Sequence, residues 1–321
     1  MQNKFYILLF IFTSSLYANN ILTDYRENGI YNVQKHMDNE LTKTEYWNLQ
    51  LKDLDTRFGY IESYSNILTC DKSSSTLTLY IKDNNESYRL QKQYNAYTGQ
   101  VEGDKLKEGD LKTPIGIYDI TKKISKLDSF YGPLAFVTSY PNEYDKYRGK
   151  NGHGIWIHGL PTEQERSEYT KGCIAIDNQS IECLDRHIDI DKTLLIINKE
   201  EAQEKIEKET LSSILSALYS WRYSWIYNDI KNYLAYYSPE FIRYDGMNYK
   251  RFLKYKERIF KKEEQKEIIF KNINVLPYPN SSNIYKISFI EKYKSKSFEF
   301  IGDKVLIVKF DNNKIKIITE R

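Results

Sequence analysis

The chain has no cluster of Lys and Arg as dense as a nucleic-acid-binding face, and its 47 basic residues stand against 44 acidic ones. That near balance excludes a protein held to a polyanion by bulk charge. No glycine loop of the phosphate-cradling kind occurs, so no nucleotide cofactor is implied. Beyond the first residues, no apolar run approaches the roughly 20 residues that cross a bilayer. There is no long linker, low-complexity tract or clear internal repeat. Cysteine is scarce, with three copies in 321 residues, and histidine has four. An odd number of cysteines leaves at least one thiol unpaired within a monomer.

What is present supports packed domains. Hydrophobic residues make up 40% of the chain, enough for two cores or three. From Glu201 onward 23 Lys and Arg stand against 16 Asp and Glu, and before it 24 against 28. So mild a bias reads as a solvated exterior rather than a membrane-facing one. The first residues, MQNKFYILLFIFTSSLYANN, place Lys4 before an apolar run from Phe5 to Phe12 and then turn small and polar. This pattern is that of a secretory signal peptide over residues 1–18, with Ala18 last before cleavage; an N-terminal anchor is the alternative. The mature protein is therefore expected outside the cytoplasm, where thiols tend to pair. Cys70 and Cys183 could pair there and leave Cys173 free.

Residues 19–65 read as a helical segment. Trp47, Leu51, Leu54 and Phe58 fall on one stripe of a helix that Gly59 would end. The stripe needs cover, from the next domain or from a second copy of the chain in a homodimer. Over residues 66–200 the period changes to two. Leu77, Leu79 and Ile81 alternate with polar residues before a DNNE turn, and short strands follow in TPIGIYDI, LAFVTSYP, HGIWIHG, CIAI and TLLIINK. Residues 201–321 read as helices, with Ile214, Leu218, Trp221 and Trp225 on one stripe, followed by four or five alternating strands. Runs of helix and then of strand make an α+β domain.

Chemistry concentrates near residue 170. IWIHG reads as a strand ending on His158, and TKGCIAI as a turn presenting Cys173 at the start of the next strand. A cysteine attacks as its thiolate, and an adjacent imidazole can take the proton. Gly172 would let a substrate carbonyl approach closely, and the amides of Gly172 and Cys173 could hold an oxyanion. A buried strand cysteine is the plainer alternative. A zinc site from His153, His158, Cys173 and Cys183 is a third, although their spacing matches no common zinc pattern.

GIWIHGLP followed by TKGCIAI, together with GDLKTPIGIYDI, resembles the L,D-transpeptidase catalytic domain of the YkuD type, and LAFVTSYPNEYDK adds a likeness to its YafK-like branch. The resemblance implies that Cys173 is a nucleophile and His158 its general base. It also implies that the Gly159 carbonyl orients the histidine and that Gly172 belongs to the oxyanion turn. No metal and no cofactor follow from it. Many members carry an arginine two residues after the cysteine, where Ala175 stands here. Lys171, Arg148 or Arg166 is then expected to meet the substrate carboxylate, with His153 as a neighbour of the site. The C-terminal region is similar to an NTF2-like cone. The combination resembles murein L,D-carboxypeptidases that set cell shape. It implies a periplasmic enzyme whose partner is the peptidoglycan stem peptide, with no ligand assigned to the cone. A transpeptidase, an amidase releasing a murein-attached group and a non-catalytic wall-binding scaffold are the alternatives. The expected fold is thus mixed: a β-rich catalytic domain, an α+β cone and a short helical lead.

Overall fold

A computed structural model of the chain describes residues 3–162, 169–200 and 206–321, and of residues 3–20 the backbone alone. Arg166 and the side chains of the expected signal peptide therefore lie outside the described residues. No helix among those described is long and apolar enough to cross a membrane.

The chain opens with helices α1 (Asn3–Glu40), kinked at Gly29, and α2 (Thr44–Leu51). The strand-rich part follows as β1 (Tyr60–Ile61), β2 (Asn66–Asp71), β3 (Thr76–Lys82), β4 (Tyr88–Asn95), β5 (Gly116–Ile124) and β6 (Ala135–Thr138). Helix α3 (Glu143–Tyr147), β7 (Trp156–His158), β8 (Ile174–Ala175), α4 (Asn178–His187) and β9 (Thr193–Asn198) complete it. Then come α5 (Lys208–Ile226), α6 (Ile230–Ala235), α7 (Tyr249–Phe260), β10 (Lys266–Pro277), β11 (Ile284–Ser295), β12 (Glu299–Asp311) and β13 (Lys314–Glu320). The mixed fold matches the expectation. Of the four or five late strands expected, the described residues form four, β10 to β13, with Glu299–Asp311 running as the single strand β12.

Two sheets result. One has eight strands in the order β4-β3-β2-β9-β5-β6-β7-β8, and the other has five in the order β1-β10-β11-β12-β13. The eight-stranded sheet is drawn closed. Tyr97, just beyond edge strand β4, donates to Ala175 O at 2.7 Å and accepts from Ala175 N at 2.9 Å on the opposite edge strand β8. Strand β9 is buried along its whole length, because both faces of the sheet are covered. Leu195 and Ile197 face one core with Leu68, Leu79, Phe136 and Ile157. Leu194 and Ile196 face another, which they share with Leu276, Ile307 and Ile318 of the five-stranded sheet. The two sheets are thus joined by an apolar core.

The expected helix from Trp47 to Phe58 is shorter than its stripe. It ends at Leu51, because Asp55 takes its carboxylate away from helix geometry to accept the amides of Arg57 and Tyr88 at 3.0 Å each. Trp47 and Leu51 pack with Leu215, Leu218 and Trp221 of α5, whereas Phe58 packs on Tyr80 and Tyr88. The stripe is covered by its own chain. Strand β1 also pairs with β10, so the lead segment belongs by packing to the C-terminal sheet.

Candidate active site

Strands β7 and β8 run parallel, with Ile157 opposite Ile174 and His158 opposite Ala175. Ile157 and Ile174 are fully buried and fix which face is inward. Side chains alternate along a strand, so Trp156, His158, Cys173 and Ala175 share the other face. Cys173 lies across from Trp156, one diagonal step from His158. Opposite the imidazole stands the small side chain of Ala175, fully buried, which leaves the ring room to lean toward the sulfur. An arginine at this position would have to leave the interior to reach water.

The imidazole is held in one sense. His158 Nδ1 is 2.7 Å from the Gly159 carbonyl. A carbonyl only accepts, so Nδ1 carries the hydrogen and the neutral ring keeps its lone pair on Nε2. Tyr131 stands edge-on to the ring at 5.1 Å between centroids, and also meets Trp156 at 5.2 Å. The carbonyl is fixed in turn by close packing. A Cβ on residue 159 would fall 2.4 Å from Asn178 Oδ1 and 2.9 Å from Pro133 Cδ, so only glycine fits. Asn178 Oδ1 accepts from Leu160 N at 2.7 Å from the first turn of α4.

The cysteine turn is equally constrained. Thr170 Oγ1 accepts from Gly172 N at 3.0 Å and donates to Cys173 O at 2.7 Å. Gly172 has a φ of +129°, and a Cβ there would meet Lys112 O at 2.7 Å. Lys112 and Thr113 belong to the GDLKTPIG segment. That segment is itself tied by Asp110, whose carboxylate accepts from the amides of Leu106, Lys107 and Lys112 and from the Lys105 ammonium. Burial would push this carboxyl up, but Lys105 and the amides outweigh it and hold it well below the usual range. Cys173 Sγ lies 3.4 Å from the Gly154 carbonyl. The thiol, an imidazole whose lone pair is on Nε2 on the same face, and a glycine-built turn form an arrangement suited to acyl transfer.

The other expected site residues fall differently. Lys171 and His153 are exposed on the loops flanking Cys173. Arg148 is engaged elsewhere: its guanidinium reaches Asp104 at 3.2 Å and Asp145 at 3.0 Å and stacks on Tyr144 at 4.4 Å. Two carboxylates already match its charge. The cysteines do not pair. Cys70 is buried in β2, where burial pushes its thiol up to about 12, and Cys183 lies on α4 beside the Lys92 ammonium at 3.4 Å. Among the described residues no group of three or more His, Cys, Asp and Glu could hold a metal ion. Sequence reasoning missed Tyr131, Thr170, Gly154 and Asn178. Two had a legible signal: Thr170 opens the TKGC turn, and Asn178 begins α4, which Asp177 caps by accepting from Ser180 N, with Ile181 and Leu184 on the buried face.

The C-terminal domain holds a separate cavity of about 430 Å³, lined among others by Trp225, Lys256, Glu291, Tyr293, Lys304 and Glu320. Burial holds the Lys256 ammonium down to about 8 and pushes the Glu291 carboxyl up. Burial acts on Glu320 too, but the ammonium groups of Lys304 and Lys256 and the Tyr237 hydroxyl outweigh it and keep that carboxyl low.

Comparison with known proteins agrees with both halves. The L,D-transpeptidase catalytic domain model matches residues 65–197, and the Cds6 C-terminal NTF2-like domain model matches residues 213–321. The helical cell shape determining protein Pgp2 of Campylobacter jejuni is 36% identical, with a TM-score of 0.80 over 87% of this chain and 99% of that one. Bd1075 of Bdellovibrio bacteriovorus is 26% identical, with a TM-score of 0.66 over 84% of this chain and 98% of that one. A protein of Escherichia coli (strain K12) named "Putative L,D-transpeptidase YafK" is 35% identical over 113 residues, which span 35% of this chain and 42% of that relative's length.

Proposed function

This chain belongs to the L,D-transpeptidase (YkuD) family, in the form that carries a C-terminal NTF2-like domain, and on that premise we propose that it is a periplasmic L,D-carboxypeptidase of peptidoglycan stem peptides. Its proposed substrate is the tetrapeptide, cut between the third-position diamino acid and the terminal D-alanine.

Cys173 Sγ attacks the carbonyl carbon at the L-centre of the third residue, and the new C–S bond gives a tetrahedral intermediate. His158 Nε2 takes the thiol proton and delivers it to the D-alanine nitrogen as the C–N bond breaks. A thioester remains. Water then attacks it, His158 takes a proton from the water, and that proton returns to sulfur as the C–S bond breaks. The Gly159 carbonyl keeps Nε2 as the basic nitrogen throughout. The intermediate's oxyanion is assigned to the amides of the Gly172–Cys173 turn, where the Gly172 amide exchanges Thr170 Oγ1 for the developing charge. Lys171 is the proposed partner of the substrate carboxylate.

The single observation behind this reading is that Cys173 and His158 share one face of β7 and β8 while Nδ1 is committed to Gly159 O. Hydrolysis is favoured over cross-linking by the likeness over nearly the whole of a cell-shape determinant, not by the site, which serves either outcome. Incubating the protein lacking residues 1–18 with disaccharide tetrapeptide, and weighing the products, tests it. Release of D-alanine without dimer is expected. Accumulation of cross-linked dimer would replace hydrolysis by transpeptidation, and full activity in Cys173→Ala would end the mechanism.

A further inference from the structure

The segment from α3 into β7 carries Gly149, Gly152 and Gly154 at φ of 71°, 92° and 71°. Such a stretch has little stiffness of its own. Yet it is pinned at successive points. The Lys150 ammonium, 5% exposed as a residue, lies 2.6 Å from Asp104 and 3.0 Å from Asp145. Asn151 N donates to Leu106 O at 3.2 Å, its Oδ1 accepts from Glu108 N at 2.9 Å, and its carbonyl accepts the Tyr140 hydroxyl at 2.9 Å. Thr138 holds Ile155 O through its amide at 3.1 Å and its hydroxyl at 2.8 Å. Between these anchors the Gly154 carbonyl meets Cys173 Sγ.

The Lys150 anchor continues into the C-terminal sheet. Asp145 is fully buried and also accepts from the Tyr118 hydroxyl at 2.9 Å and from Asn142 N at 3.2 Å. Asn142 Oδ1 accepts from Asp145 N at 2.9 Å, and its Nδ2 donates to Ile117 O at 2.9 Å and to the Tyr278 hydroxyl at 3.0 Å. Tyr278 directly follows β10, is 2% exposed, and stands edge-on to Tyr144 at 4.6 Å. An unbroken run of polar contacts and backbone thus leads from the C-terminal domain to the sulfur.

We infer that Lys150 and Tyr278 are positioning residues for Cys173, acting through the Asn142–Asp145 cap to fix the Gly154 carbonyl that orients the thiol. The inference rests on the acyl-transfer reading above for its kinetic consequence. The carbonyl oxygen carries partial negative charge. It accepts S–H and so aims the thiol, and it would oppose a thiolate at that position. The C-terminal domain therefore contributes to the site without touching substrate.

The test follows alkylation of Cys173 by iodoacetamide against pH in full-length mature protein, with Cys183→Ser as background and Cys70 already buried. Tyr278→Phe keeps the ring and drops the hydroxyl, and Lys150→Met removes the ammonium. In both, the alkylation midpoint is expected to move to lower pH by about half a unit or more, because a carbonyl opposing the thiolate has drifted. Release of D-alanine is expected to slow about tenfold in kcat with KM within about twofold, as a mis-set nucleophile requires. A Tyr278→Phe protein that melts like the parent, with both midpoint and kcat unchanged, overturns the inference. Should Lys150→Met not fold, Tyr278→Phe decides alone. A parent protein that releases no D-alanine sinks the proposed reaction instead, and the alkylation profiles still decide the positioning.

Discussion

Asp145 in the catalytic domain and Glu291 in the C-terminal domain are both buried carboxylates, and their surroundings differ in kind. Asp145 has Lys150 and Arg148 at 3.0 Å, the Tyr118 hydroxyl at 2.9 Å and an amide of the α3 cap. Glu291 has one oxygen, Oε2, with no hydrogen-bond partner, and it faces a cavity shared with Lys256, Lys304 and Glu320. A buried charge that is fully paired specifies one geometry, whereas an incompletely paired one is a standing cost. The catalytic half therefore uses its ionic groups to hold loops still around Cys173. The cone keeps ionic groups against a space.

That contrast can be broken from either side, and the largest effect belongs to the catalytic face. Replacing His158 by Gln should lower D-alanine release by roughly 10²–10⁴-fold, the usual worth of a general acid–base group, with an unchanged melting temperature. Equal loss of stability and activity would show a structural histidine instead. Gly172→Ala comes next. Its Cβ would sit 2.7 Å from Lys112 O at a φ of +129°, so turnover should fall and folding should weaken by about 1–3 kcal/mol, read by denaturant titration. A variant as stable and active as the parent would mean that the turn is not the constraint described.

In the cone the expected effects are smaller. Glu291→Gln keeps the shape and removes a carboxylate whose ionised form burial disfavours, so the denaturation midpoint should rise slightly at neutral pH. Trimming of the small tetrapeptide substrate should stay within about twofold, since Glu291 touches none of the reacting groups. The smallest effect is a pH slope. Burial holds the Lys256 ammonium down to about 8, below the ordinary lysine value of 10.5. Between those limits the unfolded chain holds the extra proton, so stability should rise as pH rises from about 8 toward 10, by linkage. The slope should be shallower in Lys256→Met than in the parent, because burial also lowers Lys72 and Lys266 and leaves them a share of it; an unchanged slope assigns the titration to those groups.

Much of the catalytic half was legible because its signals are local. The alternation of Leu77, Leu79 and Ile81 with a DNNE turn gave the β3–β4 hairpin, and the paired IHG and KGC segments gave two strands that the fold places side by side. Less visible was anything fixed by distant partners. Asn178 works from a helix that follows the cysteine strand, and Tyr131 reaches His158 from another loop. Arg148 reads as an available cation until Asp104 and Asp145 are seen beside it. The lead segment misled for the same reason. Trp47 and Phe58 lie on one helical stripe by spacing, yet they serve different cores once Asp55 has turned the chain.

The apolar core between the two sheets bears on how this chain could be cut. Ile67, Ile117, Leu194 and Ile196 of one sheet are covered by Leu276, Val305, Ile307 and Ile318 of the other. Severing the backbone between residues 200 and 206 would thus yield two fragments that remain associated. Expressing either half alone would lay bare a continuous greasy surface and invite aggregation.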